Sequence, residues 1–151
     1  MASAVQTADT AQAAHITIVE QKKFIIDFVR NNQYTPCKVE DKLIPYVYNM
    51  YKNDDIDILK YKDILSSDQY SFLFSQCGTY LDIKKEYKKA HQHHLQSAKS
   101  GNSYGMVGMD THYYYGYEVE IDYKIAFEYY KKSADLDNPY GFLYWKLFLQ
   151  W

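Results

Sequence analysis

Residues 121–141, IDYKIAFEYYKKSADLDNPYG, restate residues 84–105, KKEYKKAHQHHLQSAKSGNSYG, with Tyr123 in step with Tyr87. Lys88 then meets Lys124, Ala90 meets Ala126, Ser97–Ala98 meets Ser133–Ala134, Asn102 meets Asn138, and Tyr104–Gly105 meets Tyr140–Gly141. A period in the mid-thirties belongs to helical hairpins, each unable to bury its own apolar face and so obliged to stack on a like neighbour. Upstream, residues 67–81 stand in the place of 101–115 at an offset of 34, against 36 for the first pair. This puts two extra residues in the connection around 116–121, and such insertions fall in loops between helices.

Helical phase agrees with the repeat. Ala90, His94 and Ala98 recur every four residues, as do Ala126, Tyr130 and Ala134, and each set lies on one helix face. Small residues at the ends of a stripe admit a neighbouring helix, and the ring between them fills the gap. A second stripe, Gly105, Gly108, Met109, His112 and Tyr113, returns as Gly141, Tyr144, Trp145, Phe148 and Leu149. Glycine inside a helix costs about 1 kcal/mol relative to alanine, so a glycine repeated at equivalent positions predicts close backbone packing. Asn102 and Asn138 are placed to cap helices, with Pro139 suited to a first turn.

These residues resemble the Sel1-like repeats, relatives of the tetratricopeptide (TPR) repeats. The pattern runs through Gly101, Gly105, Met109, Tyr113, Gly116, Val119, Asp122, Lys124, Ala126, Tyr129–Tyr130, Lys132 and Ser133–Ala134. Gly105 stands for the family's alanine and Met109 for its leucine. The preceding copy is degenerate, with His93–His94 for the aromatic pair, and the following copy stops after its first helix. The resemblance covers about 68–151 and implies an all-α fold, a short right-handed superhelical solenoid of antiparallel helical hairpins (Sel1-like/TPR-like). It also implies scaffold or adaptor work, in which the inner surface of each hairpin's first helix holds a protein or peptide. By helical phase that surface is expected at Tyr104, Val107, Thr111, Tyr114, Tyr140, Leu143 and Leu147. The Lys-, Asn- and Tyr-rich composition is similar to that of Sel1-like proteins from AT-rich sources such as large DNA viruses and protists. Arg30 is the single arginine among 17 basic residues, and tyrosine occurs 18 times.

The amino-terminal half does not align with the repeat. Helices are expected over 20–31, over 37–51 with Pro45 disturbing its first half, and over 56–65, ended by Ser66–Ser67. The expected division is a disordered leader (1–19), a helical cap or set of eroded repeats (20–66), and repeats over 67–151. The repeats would span about 68–101 and 102–137, with a half repeat over 138–151. Residues 1–15 lack the basic and apolar regions of a signal peptide, and the reading is an intracellular, cytoplasmic protein (host-cell cytoplasm if viral).

Chemistry-bearing motifs are few. A net charge of −2 argues against nucleic acid, which wants a basic stripe, and no apolar run reaches the ~20 residues of a membrane span. Cys37 and Cys77 fit no metal or redox spacing and read as reduced thiols. Phosphate loops, nucleophile elbows and Cys–His dyads are all missing, so no enzyme and no cofactor is expected. The metal candidates are His91, His93 and His94, with His112 beside them, because histidine is the commonest zinc ligand. Against this, His94 aligns with Tyr130, a packing position, and packing is the preferred reading. The run 111–123, THYYYGYEVEIDY, can form a recognition surface, since tyrosine brings contact area at low entropic cost.

The carboxyl-terminal helix is apolar almost all round, whereas a terminal repeat should turn a polar face outward. The function that the resemblance implies is a non-catalytic interaction scaffold with a protein or peptide partner, and neither nucleic acid nor membrane is expected. Two alternatives stand beside it. One is a structural subunit that self-associates through Phe142, Leu147 and Trp151 into a homo-oligomer. The other is a metal-binding or enzymatic role through His91, His93 and His94.

Overall fold

The computed structural model describes residues 16–31, 44–51 and 57–150. Among them every regular element is helical: α1 (Ile18–Asn31), α2 (Ile44–Tyr51), a 3-10 turn (Asp57–Tyr61), α3 (Ser67–Ile83), α4 (Tyr87–Lys99), α5 (Ser103–Tyr115), α6 (Tyr123–Asp135) and α7 (Pro139–Leu149). From α3 onward each helix packs on its successor, and α3 also touches α5.

Local chemistry explains the element starts. Thr17 and Glu20 form a reciprocal cap, Glu20 N–H donating to Thr17 Oγ1 at 3.2 Å and Thr17 N–H to Glu20 Oε2 at 3.0 Å. This starts α1 at Ile18 rather than at the expected residue 20. Ser66 and Gln69 do the same for α3, so Ser66 opens a helix instead of closing one. The helix expected over 56–65 is a 3-10 turn over Asp57–Tyr61. Ile58, Tyr61 and Leu65 all point inward, and the chain must turn within this span to deliver Ser66 as the next cap. Of the helix expected over 37–51, only Ile44–Tyr51 lies within the described residues, with Pro45 in its first turn. The expected leader, residues 1–15 above all, lies outside them, as does Cys37.

The repeat is legible in the turns. Asn102 Oδ1 accepts from Tyr104 N at 3.0 Å and Gly105 N at 3.2 Å, and Asn138 Oδ1 accepts from Tyr140 N at 3.0 Å. Ahead of these caps, Gly101 N–H donates to Ala98 O at 2.9 Å and Asn102 N–H to Ser97 O at 3.1 Å. Asp137 and Asn138 repeat the pair on Ala134 and Ser133 at 2.9 and 3.1 Å. The residue that turns left-handed is Gly101 in one copy (φ 83°) and Asp137 in the other (φ 59°). The starts of α3, α5 and α7 fall at 67, 103 and 139, an even spacing of 36, so the helix starts do not keep the 34-residue offset read from sequence. In the first hairpin α3 is 17 residues long against 13 for α5, and the α3–α4 connection (84–86) is shorter than the α5–α6 connection (116–122).

Helices α1 and α2 and the 3-10 turn share one core with the repeats. Ile25, Val29, Val47, Met50 and Ile58 pack with Phe72, Leu73, Cys77 and Leu81, and the same cluster reaches Ala90 and Tyr104. Cys77 is a free, fully buried thiol, pushed up to about 12 by burial, with a hydrogen bond shared with Tyr51 acting the other way. Among the described residues no helix is long and apolar enough to cross a membrane.

Candidate functional site

Gly78 and Asp82 are one turn apart on α3, and Gly108 and His112 are one turn apart on α5. Each pair therefore lies on one face of its helix. His94 of α4 enters between them. A Cβ at Gly78 would lie 2.7 Å from the His94 ring, and one at Gly108 would lie 2.1 Å from it. The two glycines thus leave a slot that the imidazole fills, and the residues four positions on converge at its tip. His94 Nε2 lies 2.8 Å from Asp82 Oδ2, and His112 Nε2 lies 2.8 Å from Asp82 Oδ1.

Both rings are buried, while Asp82 keeps 21% of its side chain exposed. Burial works against the charge on Asp82, but the hydrogen bonds and charges of His112 and His94 outweigh it and hold the carboxyl below its ordinary range. His112 is also fixed from behind, its Nδ1–H donating to Tyr117 O at 2.9 Å. His94 Nδ1 is buried without a hydrogen-bond partner. Among the described residues, Asp82, His94 and His112 each offer one ligand atom, all within 4.8 Å of one another, and could hold a metal.

The three histidines of the HQHH run part company. His93 points away from this centre: its Nδ1–H donates to Lys89 O at 2.7 Å, and its Nε2 accepts from Tyr51 Oη at 2.6 Å. Burial, opposed by the bond to Lys89, pulls its pKa down to about 4. His91 is half-buried with its ring 5.3 Å from that of His112, and its Nδ1 is buried without a partner. Its pKa is lowered, chiefly by burial and then by His112 and His94. So of the candidates read from sequence, His94 joins the centre, His112 completes it, His91 stands beside it, and His93 serves the core.

Tyrosines roof the centre. Tyr87 and Tyr117 stack at 4.2 Å, and each meets the His112 ring edge-on. Tyr115 stacks on Tyr117 at 5.5 Å and meets Tyr114 at 4.9 Å, and Tyr114 meets Tyr123 at 5.2 Å. Tyr115 and Tyr123 are 59% and 55% exposed and Tyr114 is 38% exposed, while Glu118 and Glu120 on the same connection are also exposed.

The expected binding residues divide. Tyr104 and Val107 are buried, Tyr104 against Phe72 at 5.5 Å, because α5 lies over the first hairpin's core. Tyr104 still borders a cavity of about 530 Å³ at the starts of α3, α5 and α7, with Asp68, Asn102 and Asp137; no histidine lines it. Thr111 is half-buried, its hydroxyl donating to Val107 O at 3.0 Å. Tyr114 and Leu143 are exposed and Tyr140 is half-buried. Phe142 is exposed, whereas the Leu147 side chain and Trp151 lie outside the described residues.

Sequence reasoning missed Asp82, which sits in a stretch, LDIKK, that reads as a polar helix end. The available signal was the pairing Gly78–Asp82 and Gly108–His112, a glycine followed one turn later by a polar side chain on two helices. Comparison with protein-family models, with curated proteins and with solved structures returned no match, so the site and its geometry are the ground for any function assigned to the chain.

Proposed function

We propose that the protein is a non-catalytic interaction module of Sel1-like helical hairpins, and that its recognition surface is the tyrosine face of the α5–α6 hairpin. The observation that carries this is the run of ring-to-ring contacts among exposed Tyr114, Tyr115 and Tyr123, anchored inward through Tyr117 and Tyr87. Packed rings are already ordered, so a partner that lands on them loses little further conformational entropy. The repeated caps and turns at 97–105 and 133–141, and the glycine contacts that accompany them, support the hairpin reading. The right-handed solenoid and a cytoplasmic setting belong to the same proposal.

The face also has a preferred chemistry. Aromatic faces attract ammonium and guanidinium groups, and Glu118 and Glu120 add negative charge, so the partner is a protein segment rich in lysine or arginine. Selection of a random peptide library on the immobilised protein tests this. The expected result is enrichment of basic sequences that no longer bind a Tyr115→Ser/Tyr123→Ser variant. Recovery that ignores the tyrosines, or no recovery at all, would sink the reading.

A second reading keeps one specific observation: Phe142 and Leu143 on α7 are 46% and 56% exposed. Self-association through that helix predicts a concentration-dependent mass in light scattering that Phe142→Lys/Leu143→Lys abolishes. A constant monomer mass removes it.

A further inference from the structure

We propose that Asp82, His94 and His112 form a site for one divalent transition-metal ion of the zinc class, which clamps α3, α4 and α5 together.

The hydrogen-bond inventory leads there. His112 faces an acceptor at each end: the Tyr117 carbonyl at Nδ1 and the Asp82 carboxylate at Nε2. A neutral imidazole carries one N–H, and the carbonyl claims it, which leaves a lone pair on Nε2 aimed at a carboxylate oxygen 2.8 Å away. Two acceptors at that distance need a cation between them. A divalent metal ion meets that need. The carbonyl behind His112 fixes the ring's orientation and its tautomer, the same role that outer partners play for metal-binding histidines.

The rest of the geometry fits a ligand set. The three donor atoms come from three helices and lie within 4.8 Å of one another. His94 is held by the slot between Gly78 and Gly108, where any Cβ would collide with the ring. Its Nε2 is therefore delivered to the same carboxylate without rotamer freedom. Two imidazoles and one carboxylate favour zinc, cobalt, nickel or ferrous iron over magnesium and calcium, which prefer oxygen ligands. The ion can enter on the exposed side of Asp82, the only one of the three ligands with appreciable solvent access. His91, with a buried and unpartnered Nδ1 on the turn before His94, flanks the site with its ring 5.3 Å from that of His112.

The test uses the full chain, stripped with a chelator and titrated with zinc chloride. The expected results are one saturable site per chain by calorimetry and a melting temperature that rises with zinc concentration, since an ion that binds only the folded state stabilises it by mass action. Cobalt(II) should give visible d–d absorption of tetrahedral intensity. Asp82→Asn preserves size and hydrogen bonding but removes the anionic ligand, and should weaken zinc binding by at least about 10-fold. His93→Gln should leave it unchanged. Ring-nitrogen NMR of the unmutated protein supplies a readout that survives misfolding of any variant: zinc should shift Nε2 of His94 and His112 and leave His93 alone. Absence of saturable binding in the folded chain, or shifts confined to other histidines, overturns the proposal.

Discussion

His93 and Asp110 are two buried titratable groups whose environments work in opposite directions on stability. His93 is locked in one neutral tautomer, donating to Lys89 O and accepting from Tyr51, so a second proton would have to displace the tyrosine. Its pKa falls from 6.5 to about 4. The unfolded chain therefore takes up a proton below pH 6.5 while the native chain does not, and stability is lost as pH falls from 6.5 to about 4, by roughly 3 kcal/mol in all. Asp110 is fully buried, with Oδ2 lacking a partner, and burial raises its pKa well above 3.8 against the bonds from Tyr130 and Thr111. Here the native state holds the proton longer, so stability is greatest below pH 3.8 and is lost as pH rises above it. The two slopes oppose each other. In metal-free buffer, Asp110→Asn should raise stability at neutral pH by about 1–3 kcal/mol and unmask a steeper rise from pH 4 to 6.5. Urea denaturation across that range reads both effects, and parallel profiles for variant and wild type would refute the assignment.

The helices meet through missing side chains. A Cβ at Gly105 would lie 2.6 Å from Ala98 N, and one at Gly141 would lie 2.4 Å from Ala134 N. Both neighbours are backbone, which cannot swing aside as a flexible side chain can. Gly105→Ala and Gly141→Ala should each destabilise by about 1–3 kcal/mol, overriding the gain that alanine brings to a helix interior. Chemical denaturation measures this, and a stabilised variant at either position would mean the helices stand further apart than described. That the two sites behave alike is the energetic content of the repeat. Much of this was legible beforehand: the glycine stripe, the alanine stripes and the asparagine caps were all placed by periodicity. The 3-10 turn at Asp57–Tyr61 was not, because its inward residues Ile58, Tyr61 and Leu65 have the spacing of an ordinary helix. Only the need to present Ser66 as a cap distinguishes it.

At the scale of the molecule, α1, α2 and the 3-10 turn share with α3 a core that reaches Ala90 of α4 and Tyr104 of α5. Val47, Met50 and Ile58 are fully buried in the cluster that contains Phe72, Leu73, Cys77 and Leu81 of α3. Removing residues 1–66 would bare that face of α3, at a cost on the order of 25 cal/mol per Å² of apolar surface returned to water. The truncated chain should lose its cooperative thermal transition or aggregate, while the full chain unfolds in one step seen alike by circular dichroism and tyrosine fluorescence. A truncated chain that melts where the full chain does would show that the two halves are independent.

Read by itself, the sequence determined the helical class, the asparagine caps and the stripes along which the helices pack. These are local properties, written in spacings of three and four residues and in the conformational preferences of glycine, asparagine and proline. It pointed to a histidine cluster but not to which of its members meet, because adjacent histidines on a helix diverge by about 100° and serve different neighbours. Which of them meet, and on what, depended on Asp82 and His112 arriving from α3 and α5. Their separations from His94 in the chain carry no periodic signal; only the packing of three helices brings those atoms within hydrogen-bonding distance.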